Sequence, residues 1–140
     1  MQPLLHLFKR EEKGQTLVEM AIVLPLLILI LMGIIQFGFI FNGHISMTSA
    51  AREGVRLGAV GASNSEVSSR VNEALAGTPL LKNTEVTIDP NNSREFGEPL
   101  TVEVSGEMDI IVPLLDSVIG DVHHLSSQAV MRVEFAGEGS

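Results

Sequence analysis

Glu19 is a lone carboxylate at the head of a long apolar run. It closes the stretch Gly14-Gln15-Thr16-Leu17-Val18-Glu19, and after it the chain carries no Asp, Glu, Lys or Arg until Arg52. A charge at the mouth of a membrane-length helix is expensive unless something offsets it. The residues themselves leave two offsets open. Thr16-Leu17-Val18-Glu19 has the spacing of a capping box, and an acid is favourable near a helix N-terminus. Alternatively, the carboxylate meets an opposite charge on a neighbouring chain. Such a pair would select the register between chains more than it would add raw affinity, because desolvation offsets most of the Coulombic gain.

The other residues capable of chemistry do not converge. His6, His44, His123 and His124 lack the spacings of a metal-ligand set, so no metal is expected. Asp109 and Asp116 do not read as a catalytic carboxylate pair, since nothing places them at a cleft. Asn91-Asn92-Ser93 matches a glycosylation acceptor, but three residues make a weak motif. There is no Ser-His-Asp spacing signature and no phosphate loop. With no cysteine, disulfides, thiolate zinc sites and cysteine nucleophiles are excluded. The reading is therefore of a non-enzyme without cofactors. A formal charge of −8 argues against nucleic acid and anionic headgroups as partners.

The element that positions Glu19 is the segment behind it. From Met20 to Phe41 every residue is apolar or small except Pro25 and Gln36. About 22 residues of helix rise roughly 33 Å, enough to cross a ~30 Å hydrocarbon core. Backbone groups cannot stay unpaired there, so the segment must be helical. Pro25 removes one donor and is expected to bend or loosen the helix near its start. Lys9, Arg10 and Lys13 precede the segment, so the N-terminus should stay cytoplasmic and the rest be exported. A secretory signal peptide has a shorter apolar core, of about 7 to 15 residues.

No loop signal follows. Met47, Ala51, Gly54, Val55 and Gly58 recur at helical spacing as a narrow stripe of mostly small residues, while Glu53 and Arg56 lie on another face and can pair weakly. This predicts one helix from about Gln15 to about Val60, ended by Gly58, Gly61 and Ala62.

Ser63 with Glu66 predicts a capping box opening a second helix, with an apolar stripe of Val67, Val71, Ala74 and Leu75 and an end at Gly77 and Pro79. Three strand patterns follow. Val86 and Ile88 alternate with polar residues. Leu100 to Val112 hold every second position, with a bend or bulge expected at Gly106. Leu125 to Phe135 give the third alternation. Asp89-Pro90-Asn91-Asn92 reads as a turn, Leu114, Leu115, Val118 and Ile119 as one short helical turn, and Gly137 to Ser140 as a frayed tail. The expected fold class is α+β: a long N-terminal transmembrane helix continuing into a small domain with a second helix and a three-stranded antiparallel sheet.

These pieces together resemble a known family. Gly14-Gln15-Thr16-Leu17-Val18-Glu19 looks like a prepilin cleavage site. Leu24-Pro25-Leu26-Leu27, Gly33-Ile34-Ile35-Gln36-Phe37-Gly38 and Ala50-Ala51-Arg52-Glu53-Gly54-Val55-Arg56 resemble the TadE-like pseudopilins of the tight-adherence (Flp-type) pilus system, as does Ala129-Val130-Met131-Arg132-Val133-Glu134. The chain departs from the family where Met20 replaces the usual Tyr after the glutamate, and where Gln36 replaces an acid that many relatives carry.

The resemblance implies a pilin-like fold and a minor pseudopilin that helps assemble a pilus. A prepilin peptidase would cut between Gly14 and Gln15. That divides the chain into a leader (1–14) of net charge +1, a long helix (15–60, with 20–41 in the membrane) and an exported domain (61–140), and leaves a mature charge of −9. Glu19 would then pair with the new N-terminal amine of a neighbouring subunit. Gly33, Gly38, Ala51, Gly54 and Gly58 would be helix-packing positions. The implied partners are the peptidase, other pilins and minor pseudopilins, the assembly platform of the cytoplasmic membrane, and the lipid bilayer. The alternative is an uncleaved single-pass anchor that displays a small extracytoplasmic binding module.

Overall fold

The computed structural model describes residues 5–91, 93–112, 120 and 122–135, with residues 5–13 described by backbone alone. One helix, α1 (Leu5–Ala59), spans 55 residues and runs unbroken through Gly14 and Pro25. At helical rise that is about 82 Å. It begins ten residues before the expected start at Gln15, because the stretch Leu5 to Lys13 consists of helix-compatible residues with no Gly or Pro to stop it.

The end of α1 is a Schellman motif. Ala62 N–H donates to the Leu57 carbonyl at 3.2 Å and Gly61 N–H to the Gly58 carbonyl at 3.2 Å. Gly61 has a φ of +101°, a conformation that glycine adopts without steric cost. Arg94 fastens the same end, its guanidinium donating to the carbonyls of Gly58 and Ala62 and to the Asn64 side chain. Partial burial pushes the Arg94 pKa down.

The second helix, α2 (Asn64–Leu75), opens on the expected capping box, with Ser63 and Glu66 bonded reciprocally. Val67, Val71 and Leu75 are buried, whereas Ala74 faces solvent. The strands β1 (Leu81–Asp89), β2 (Pro99–Asp109) and β3 (Val122–Arg132) form an antiparallel meander in the order β1-β2-β3. Every second residue of β2, from Leu100 to Met108, is buried. These side chains pack with Met47, Ala50, Ala51 and Val55 of α1 and with Val67 and Val71 of α2 in one core.

Several expectations shift in detail. The bulge lies not in β2 at Gly106 but in β1, between Lys82 and Glu85, opposite it. Asn83 takes a φ of +49° there, and a Cβ on Gly106 would stand 3.1 Å from the Leu81 side chain and 3.4 Å from the Lys82 carbonyl. Gly106 is thus the space into which the partner strand bulges. β2 stops at Asp109 rather than running to Val112. Glu53 pairs with Arg70 of α2 at 2.8 Å and not with Arg56, since α2 packs against α1 and brings two guanidinium nitrogens of Arg70 onto one Glu53 oxygen. Phe135 is exposed despite its place in the third alternation. Leu114, Leu115, Val118 and Ile119, Asn92, and the tail Gly137 to Ser140 lie outside the described residues.

Candidate processing and assembly surface

The lower half of α1 is bare of core packing among the described residues. From Gly14 to Leu31 every residue is exposed. The 18-residue window that makes this helix a candidate membrane span has a mean hydropathy of 2.8 and no buried share. Leu17, Ile22 and Phe37 are 71%, 73% and 68% exposed. Such a surface is stable only in lipid or against other apolar helices.

Gly14 lies inside this helix, and nothing stands within 4 Å of where its Cβ would be. Gln15 and Glu19 are four residues apart and share one face, about 6 Å along the axis. Because α1 starts at Leu5, Thr16 is not the first residue of a helix, and Thr16-Leu17-Val18-Glu19 caps nothing in the uncut chain. In the uncut chain the local explanation for Glu19 is thereby removed. Its carboxylate has no hydrogen-bond or ion-pair partner among the described residues and faces the surroundings.

The predicted packing glycines fall into two groups. A Cβ on Gly54 would stand 2.6 Å from Val71 Cγ2, and one on Gly58 would stand 2.6 Å from Leu100 Cδ2. Ala51 is fully buried between these elements. Gly33 and Gly38, by contrast, have nothing within 4 Å of a Cβ. Gly43 was not singled out by its sequence, yet its Cβ would collide with Met108 Cε and reach Leu125 at 3.4 Å. It lies four and eleven residues before Met47 and Gly54, and extending the small-residue stripe by one turn would have found it.

Gln36 is the second residue that sequence reasoning undervalued. It is 3% exposed within an otherwise bare stretch of helix. Its Nε2 donates to the Asp109 carbonyl at 3.1 Å, and its Oε1 accepts from Ile111 N–H at 2.8 Å. The side-chain amide therefore takes the place of a strand at the end of β2. A polar residue isolated in an apolar run was the available signal, since buried amides need partners.

Beside β3, residues Thr48, Arg52, Glu53 and Arg56 of α1 and Gln128 to Met131 line an open groove. Among the described residues no group of three or more His, Asp or Glu side chains could hold a metal ion.

The fold and site define a class: an α+β protein built on one long N-terminal helix whose lower half is apolar enough to cross a membrane. Residues 14–56 match the family model described as TadE-like protein. The match begins at Gly14, ends at Arg56 and covers the helix rather than the sheet. No curated protein and no solved structure matches the chain.

Proposed function

We propose that this chain is a minor pseudopilin, a structural component in the assembly of a Flp-type adhesion pilus, and that a prepilin peptidase removes residues 1–14. The observation that carries this reading is the pairing of a family match that starts at Gly14 with a Glu19 carboxylate that has no partner among the described residues. In this reading the N-terminus is cytoplasmic, α1 anchors the protein in the cytoplasmic membrane, and the sheet domain is exported to meet other pilins, minor pseudopilins and the assembly platform. The protein is a peptidase substrate and not a catalyst.

The chemistry follows from the helix. A protease needs an extended substrate, so the peptide bond after Gly14 must leave the helix before it is cut. Glycine lowers the cost of that unwinding because it is the weakest helix former after proline. Cleavage creates an amine at Gln15 about one turn below Glu19. A neighbouring subunit displaced along the axis presents its own amine to that carboxylate. An unpaired charge in an apolar bundle is costly, so the correct axial offset is selected.

The test is the N-terminal sequence and intact mass of the membrane-extracted protein, with and without its cognate peptidase. A chain beginning at Gln15 only when the peptidase is present is the expected result. A chain beginning at Met1 in both conditions would overturn processing. It would leave an uncleaved single-pass anchor displaying a binding module, a reading with which the continuous helix across Gly14 also agrees.

A further inference from the structure

The apolar segment and the sheet domain overlap along α1, and the overlap sets how deep the domain sits. Gln36 holds the Asp109 carbonyl and the Ile111 amide, so the end of β2 is fixed at the level of residue 36. Glu19 lies seventeen residues earlier, or about 26 Å along the axis. The hydrocarbon core is about 30 Å thick. If Glu19 stays at the inner boundary, the outer boundary falls near Phe39, above the end of the sheet. If the end of the sheet stays in water, Glu19 is drawn unpaired into hydrocarbon, which is the expensive alternative before any neighbour arrives.

The residues at this level favour the first arrangement. Ile111 is 43% exposed beside Gln36, and Phe37 and Phe41 point away from the sheet without cover. β2 ends here, so the Asp109 carbonyl and the Ile111 amide would be expensive in hydrocarbon if left unpaired. Gln36 pairs with both. Among the described residues near this end, Lys82 pairs with Asp109 through a long and mostly exposed lysine that can reach the headgroups, and Glu107 lies beside the exposed His124.

We infer that the membrane-facing end of the sheet, at Ile110 and Ile111, docks into the outer edge of the bilayer, with its occupant the lipid acyl chains just below the headgroups. The inference rests on the reading of α1 as a membrane span. The exported domain is then seated in the membrane surface rather than held above it, and Gln36 is the residue that makes the exit of the sheet compatible with lipid.

The chain has no cysteine, so single cysteines can be labelled cleanly in the full-length protein. Ile111→Cys, Phe37→Cys, Ile28→Cys and Phe96→Cys, each carrying an environment-sensitive fluorophore, are reconstituted in vesicles of phosphatidylcholine and phosphatidylglycerol. Lipids spin-labelled at a shallow or a deep acyl position serve as quenchers. The expected result is shallow quenching at Ile111 and Phe37, deep quenching at Ile28, and quenching at Phe96 severalfold weaker than at Ile111. Deep quenching at Ile28 with Ile111 no more quenched than Phe96 overturns the docking while leaving the span intact. Absence of quenching at Ile28 overturns the span and the docking together. Phe37 guards against a local disturbance at Ile111: shallow quenching there with none at Ile111 also overturns the docking.

Discussion

The two halves of α1 use glycine in opposite ways. In the upper half, Gly43, Gly54 and Gly58 are closed over by Met108, Val71 and Leu100 of the same chain. From Gly38 toward the N-terminus, Gly14, Gly33 and Gly38 have no described atom within 4 Å of where a Cβ would stand. The upper helix thus packs tightly within its own subunit, while toward the N-terminus its glycines meet no described atom of the chain.

The strongest way to break this contrast is to fill an upper glycine. Gly54→Val drives two methyl groups into Val71 and should cost about 3 kcal/mol, the upper end of overpacking effects. Chemical unfolding of the full chain in detergent, followed by circular dichroism, reads it. Gly33→Val on the same helix should leave that transition unmoved.

Next in size is Gln36→Leu, which leaves a carbonyl and an amide without partners at the end of β2 and should cost about 1 to 3 kcal/mol. Faster hydrogen exchange at the Ile111 amide is its specific signature.

Ser63→Ala removes the cap of α2 and should cost roughly 1 kcal/mol. The capping box also has a pH signature. The Ser63 backbone amide, and then its hydroxyl, hold the Glu66 carboxyl below its ordinary value. A lowered folded pKa means that its contribution is present above the ordinary carboxylate range. It is lost as pH falls through the lowered value. Acid titration of stability should show that loss in the wild type and not in Glu66→Gln.

The smallest expected effect is that of Glu53→Gln. Its exposed pair with Arg70 is worth under about 1 kcal/mol, and Arg70 keeps Glu73 at 2.8 Å. On the lower helix, Glu19→Ala should leave folding and cleavage intact and abolish co-purification with partner pilins. Normal co-purification would remove the paired-charge reading of that surface.

Local rules carried much of this fold into view. Ser63 and Glu66 announced α2 because both halves of a capping box lie within four residues. The alternation from Leu100 to Met108 announced β2 because a half-buried strand shows its period directly. What stayed hidden depends on residues far apart in the chain. Gln36 bonds groups 73 and 75 residues away, and both are backbone groups, which no side-chain pattern reveals. The bulge opposite Gly106 was misplaced because the glycine marks where space is needed and not which strand uses it. Arg70 captured Glu53 because helix packing brought them together, and the three-residue spacing to Arg56 held no information about that. At the candidate site, Glu19 was conspicuous from its isolation alone, but only the position of the first helical turn at Leu5 could remove capping as its explanation in the uncut chain.

The Gln36 clamp has a mechanical consequence. At the other end of the sheet, Glu134 N–H donates to the Ala59 carbonyl at 2.9 Å. The domain is thus riveted to one rod at two points, 23 residues and about 35 Å apart. With two rivets there is no swivel. Between residues 36 and 59 the helix and the sheet therefore move as one piece, as the teeth of a key move with its shank.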